Sequence, residues 1–156
     1  MGKTPQTTAP AGGSTRDLAY RWIAAVCHEG LNHSAAEALV ASDFLLHLPR
    51  STAWLTADAG LDTPRARFGA VTEAVGEHFD IRATTMVSNK IDIFDGDRGG
   101  LHYVLRVQPH RYPSFELLVV LTFERTGDHL SAVRVHADTA MLLRGLGLAP
   151  DNGVIS

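Results

Sequence analysis

The spacing of apolar residues changes near residue 80, and this change constrains the fold more than any other feature of the 156-residue chain. Before it, apolar residues recur at helical spacing; after it, they alternate. Leu18, Trp22 and Val26 repeat every four residues, as do Ala19, Ile23 and Cys27, which gives one apolar helix face. Ser14-Thr15-Arg16-Asp17 matches a capping box at its start, in which a hydroxyl and an acid three residues on satisfy free amides. Gly30 suits its end. Ser34-Ala35-Ala36-Glu37 repeats the box and predicts a short helix to about Ala41. Thr63-Pro64 opens a third helix, with Phe68, Val71, Val75 and Phe79 as its buried stripe.

The second half reads as strands. Residues 80–94 form a long one, and Asp95-Gly96-Asp97 is a hairpin signal. Residues 99–108 follow, and the chain turns from His110 to Pro113. Residues 115–124 form the next strand, Thr126-Gly127-Asp128 turns again, and residues 130–138 close the series. A short strand at 43–49 lies between the second and third helices. Helices first, then hairpin-linked strands, predicts an α+β fold: a cone-shaped, curved mixed or antiparallel sheet wrapped around N-terminal helices. Such a cone encloses a pocket suited to a small molecule.

Composition narrows the function classes. A 45% apolar and 20% charged chain is globular rather than disordered. Its length makes one domain, expected over residues 14–148, with a Gly/Pro-rich tail at 1–13 and a second tail at 149–156. No apolar run approaches the roughly 18–20 residues that span a bilayer, and the N-terminus lacks a signal-peptide core. The net charge of −3 with no basic stripe argues against nucleic acid and anionic membranes as partners. A single cysteine excludes a disulfide framework and a zinc ribbon, and fits a reducing, cytoplasmic setting. Cys27 itself sits on the apolar helix stripe and reads as core.

Chemistry-bearing residues cluster on alternating strand positions. In the last strand Leu130, Ala132, Arg134, His136 and Asp138 share one face, opposite Ser131, Val133, Val135 and Ala137. His136 and Asp138 stand roughly 6–7 Å apart by strand rise, close enough to act on one ligand. His102, Val104, Arg106 and Gln108 repeat the pattern, opposite Leu101, Tyr103, Leu105 and Val107. In a curled sheet His102 and Arg106 share a space with His136 and Asp138. The plain alternative for both strands is a solvated face. His47, between leucines, reads from its own neighbours as a hydrogen-bonded structural residue. His28, His33, His78, His110 and His129 fall at helix ends and turns and read as surface residues. His47, His102, His136 and Asp138 hold no close histidine pair at helical spacing, so no metal is expected. No G-x-S-x-G elbow, P-loop or G-x-G-x-x-G occurs.

Three segments carry a resemblance. Asp43-Phe44-Leu45-Leu46-His47-Leu48-Pro49 resembles the D-F-x-x-H-x-P segment of SnoaL-like polyketide cyclases, within the nuclear-transport-factor-like, ketosteroid-isomerase-like superfamily of α+β cones. Asp138-Thr139-Ala140-Met141-Leu142-Leu143-Arg144-Gly145-Leu146-Gly147 resembles the family's closing D-x-x-G-L-L-x-Q-L-G, and Asp95-Gly96-Asp97-Arg98 stands at its G-D-R hairpin. The resemblance covers about residues 16–148. Arg134 replaces a usual Trp, and Met141 and Gly145 replace a Gly and a Gln.

The resemblance implies a cofactor-free cyclase or isomerase acting on a polyketide-like molecule, with Asp138 as general acid/base and His47, His102 and His136 assisting. Burial in an apolar cone raises a carboxyl pKa towards the working pH. Tyr20, Trp54, Phe68, Tyr103 and Phe115 are candidates for an aromatic wall, and Arg106 and Arg134 for polar contacts. Core packing is the plain reading of each aromatic. Two alternatives stand beside this one. Epoxide opening would need an Asp-Arg-Asp set, approximated by Asp92, Arg106 and Asp138. A binding module would use the cone without catalysis. Such folds often form homodimers through the open sheet face, where Leu118, Val120 and Thr122, or Leu117, Val119 and Leu121, supply apolar area.

Overall fold

The computed structural model describes residues 13–28, 33–49, 62–87 and 91–148. Gly30, Trp54 and most of both expected tails lie outside these residues.

The first helix, α1 (Thr15–Ile23), starts at the expected capping box. Ser14 Oγ accepts from the Asp17 amide at 3.1 Å, and the Asp17 carboxylate accepts from the Ser14 amide at 3.4 Å. Its apolar face is buried through Leu18, Ala19, Trp22 and Ile23, and the chain continues as a π-helical turn, Ala24–His28.

The sheet then claims residues that local signals assigned elsewhere. The second helix, α2, covers only His33–Glu37, and strand β1 runs from Val40 to His47. Val40 pairs with Leu130, and the Leu130 amide donates to the Leu39 carbonyl at 2.9 Å, so the ladder overrides the expected helix end. Thr63-Pro64 is extended, not helical. Asp62–Pro64 forms β2 against β1, a 3₁₀ turn spans Arg65–Arg67, and α3 runs from Phe68 to His78. The expected long strand at 80–94 is not continuous: Ile81–Ala83 forms a 3₁₀ turn, and two short strands follow, β3 (Thr85–Met86) and β4 (Ile91–Asp95).

The remaining hairpins fall close to expectation. Strands β5 (Arg98–Val107), β6 (Phe115–Thr126) and β7 (His129–Ala137) are antiparallel neighbours. The β4–β5 turn needs Gly96 at φ +62°, a backbone state that glycine adopts at little cost. A last helix, α4 (Thr139–Gly145), was not anticipated.

The seven strands form one curved, unclosed mixed sheet in the order β2-β1-β7-β6-β5-β3, with β4 beside β3 on the edge of β5. Among the described residues, β1 and β7 alone pair in parallel. A register shift in β7 sets Ala132 opposite Glu124 and Leu130 opposite Arg125, leaving Ser131 as an extra residue. The bulge turns Leu130 into the core, fully buried, away from the exposed Arg134 and His136 with which simple alternation grouped it. Inside the cone Trp22 packs against Phe68 (centroids 5.9 Å apart) and edge-on against Phe123 (6.2 Å). Among the described residues no helix is long and apolar enough to cross a membrane.

Candidate functional site

The cone holds a cavity of about 250 Å³. Its floor and one wall come from Trp22, Ile23 and Val26, and from Phe68, Val71, Thr72 and Val75. The opposite wall is the concave sheet face: Tyr103, Leu105 and Val107 of β5, Leu117, Val119 and Leu121 of β6, and Val135 and Ala137 of β7. Leu48 and Pro49 after β1, Ile81 and Thr84 before β3, and Leu142 of α4 complete it. The polar side-chain groups of this lining are the hydroxyls of Thr72, Thr84 and Tyr103 and the indole N–H of Trp22. The Thr72 hydroxyl donates to the Gly69 carbonyl at 2.9 Å.

Two expected wall residues, Phe68 and Tyr103, line the cavity. The expected polar residues do not. Strand alternation forces a choice of side, and the apolar set of each strand took the inside. On β5 this leaves His102 and Arg106 exposed on the outer face. On β7 it leaves Arg134 and His136 there. His102 and His136 do come together in one respect: both stand opposite Val120, in one cross-strand row. Arg106 donates to Glu116 at 2.8 Å, and Arg134 lies 3.9 Å from Glu124. His47 also faces out, its Nδ1 2.8 Å from Asp62 Oδ1.

Asp138 follows cavity-lining Ala137 but caps α4 instead of entering the cavity. Its carboxylate accepts the Met141 amide at 3.2 Å, and the residue is exposed. The sequence signals for this helix were an Asp at the N-cap, Leu142 and Leu146 at four-residue spacing, and Gly147 at φ +69° past its end. Phe115 is half-buried outside the lining, under α4.

Tyr20 is also away from the cavity, at the junction of α1 and β4. Its hydroxyl donates to the Asp92 carboxylate, which also pairs with Arg16 at 3.0 Å. Burial, and then the bond to the Asp92 carboxylate, push the Tyr20 phenol up to about 12. The Arg16 guanidinium lies 5.8 Å from the Phe94 ring centroid, a cation–π contact. Asp92 is thus engaged by α1, Arg106 by Glu116 and Asp138 by its own helix, so the trio considered for epoxide opening does not assemble. Among the described residues no three acidic, histidine or cysteine side chains converge.

No protein-family model matches the chain, and no curated protein does. Solved structures do. An NTF2-like protein from Burkholderia pseudomallei superposes with TM-score 0.73 at 16% identity, over 86% of this chain and 98% of that one. A "putative polyketide cyclase" from Pseudomonas putida gives 0.67 at 15%, over 86% and 98%. A ketosteroid-isomerase-like protein from Catenulispora acidiphila, solved with trimethylamine, gives 0.65 at 17%, over 86% and 95%. The chain therefore has the NTF2-like, ketosteroid-isomerase-like cone fold.

Proposed function

We propose that the cone is a receptor for an uncharged, apolar small molecule. One observation carries this reading: the described cavity walls hold hydrocarbon, three hydroxyls and one indole N–H, with no carboxylate, imidazole or guanidinium. An ionised ligand group inside would meet no partner, and burying one unpaired is costly. A dry cavity of about 150 Å³ accepts benzene, so 250 Å³ suits one or two rings. Trp22 in the wall supplies the assay. In a Trp54→Phe background its fluorescence should shift on adding naphthalene or a comparable neutral bicycle. Ala137→Leu, which fills part of the cavity, should weaken binding at least about tenfold while the fold survives. Unchanged affinity in that variant refutes the site.

A second reading, cofactor-free cyclisation or isomerisation of a polyketide-like substrate, is favoured by the place of Asp138 between two lining residues, Ala137 and Leu142. At that rim its carboxylate can exchange a proton with a ligand end that projects from the cavity. The SnoaL-like segments around His47 and Asp138 support the same reading. Rearranged product that disappears in Asp138→Asn would establish it over simple binding.

We also propose a homodimer through the convex sheet face. Ile91 (60% exposed), Ile93 (74%) and Leu118 (41%) lie there with Leu45 and Val87, around half-buried Val104 and Val120. Five strands at ~4.8 Å spacing give a face of roughly 600 Å², of the order of one side of a standard interface. The ion pairs Arg106–Glu116 and Arg134–Glu124 flank its apolar middle, so a two-fold contact sets middle against middle. Sedimentation showing a monomer at micromolar concentration overturns this.

A further inference from the structure

We infer that His102 and His136 make self-association through the convex face pH-dependent, a conclusion that rests on the dimer reading above. The two histidines occupy one row across three strands, His102 and His136 both opposite Val120, with Ile91 beyond His102. Two strand spacings separate them, about 10 Å. This row crosses the middle of the patch formed by Ile91, Val104, Leu118 and Val120.

The charged groups around the row are engaged elsewhere. From β6, Glu116 is held by Arg106 at 2.8 Å and Glu124 stands 3.9 Å from Arg134. From β1, His47 is paired with Asp62. On β4 the outward residues are Ile91, Ile93 and, at the hairpin, Asp95; on β5 the neighbours of His102 are Gly100 and Val104, with Arg98 at the hairpin. On β7 the neighbours of His136 are Arg134 and then Asp138, whose carboxylate caps α4. No acid stands beside His102 on its own strand or directly across from it on β4 or β6.

A second copy laid on this face removes both imidazoles from water. A neutral imidazole gives up only hydrogen bonds to water there, whereas an imidazolium facing isoleucine, leucine and valine also gives up the solvation of a full charge. Histidine gains its proton within the range from pH 8 to pH 5. Acid therefore favours the separated chains. Each proton that must leave on association weakens it by up to tenfold per pH unit, and two histidines per chain make four per pair.

Sedimentation velocity on the full chain at about pH 8 and about pH 5.5 tests this, with circular dichroism confirming that the fold persists in acid. The dimer should weaken at least about 100-fold at the lower pH, and His102→Gln/His136→Gln should remove that dependence. A dimer equally tight at both values overturns the inference and leaves the dimer reading intact. A monomer at both values overturns the dimer reading and this one with it. A double variant that weakens in acid as the parent does also overturns it. Should the double variant not fold, each single variant must show a shallower pH slope, and an unchanged slope in both counts against the histidines.

Discussion

Replacing Gly145 by alanine tests how α4 closes the cone. A Cβ built on Gly145 sits 2.2–2.4 Å from three atoms of the Phe115 ring. Carbon atoms in good contact stand about 3.5–4.0 Å apart, so the helix or the ring must move. Phe115 has little room: its backbone pairs with Val107 and its ring packs on the core. Overpacking of this kind costs about 1–3 kcal/mol. The better helix propensity of alanine returns at most about 1 kcal/mol, and less at a helix end. The net expectation is a loss of about 0.5–2 kcal/mol, or about 1–8 °C in Tm for a domain of this size. Gly76 in α3 is the matched control, because nothing lies within 4 Å of its built Cβ. Gly76→Ala should stabilise by about 0.5–1 kcal/mol. Thermal and denaturant unfolding of both variants decides the matter. Because α4 also carries Leu142 into the cavity wall, Gly145→Ala should weaken ligand binding, and Gly76→Ala should not. If Gly145→Ala is as stable as Gly76→Ala, the packing of α4 on Phe115 is wrong.

Asp138→Ala should lose about 1 kcal/mol of stability through the missing N-cap, whereas Asp138→Asn keeps the cap and should unfold like the parent in a denaturant titration. The Tyr20 phenol, with its pKa raised on folding, stabilises the fold below its ordinary value of 10.0, and that contribution disappears as pH climbs through about 12. Ultraviolet titration should therefore find the Tyr20 phenol ionising late, and Asp92→Asn should bring it partway down, since burial remains. Phe123→Ala, at a site 1% exposed beside Trp22 and Phe94, should cost about 3–5 kcal/mol in the same unfolding assay.

Short-range chemistry made parts of this fold readable. The Ser14/Asp17 box, the Gly96 and Gly127 turns and the Phe68, Val71 and Val75 stripe of α3 are local, and each stands where its residues predict; Phe79, the stripe's expected last member, falls just past the helix in extended backbone. The errors lie where a distant partner decides. Residues 38–41 carry no signal that Leu130 will pair with Val40, so the α2 end was set too late. Thr63-Pro64 has a good helix-start sequence, yet β1 supplies a ladder partner at Leu46 and the pair stays extended. The segment 80–94 alternates acceptably throughout, but β5 presents one edge to two short strands in turn. The extra residue at Ser131 is likewise invisible without its partner strand.

The sidedness of the sheet has a different origin. Alternation sorts each strand into two sets and says nothing of which set faces inward. On β6 both sets are apolar at the middle, so that strand cannot decide. The decision comes from the helices: α1 and α3 bring Trp22, Ile23, Phe68 and Val71 to one side of the sheet, and only an apolar strand face can cover them. On β5 and β7 that selects Leu101, Tyr103, Leu105, Val133 and Val135, and it drives His102, Arg106, Arg134 and His136 outward. Placing those four inside would bury two guanidinium groups away from Glu116 and Glu124, at a cost of several kcal/mol per unpaired ion. The same balance leaves the cavity walls almost wholly hydrocarbon, while Asp138, next to lining Ala137, stays exposed as the cap of α4.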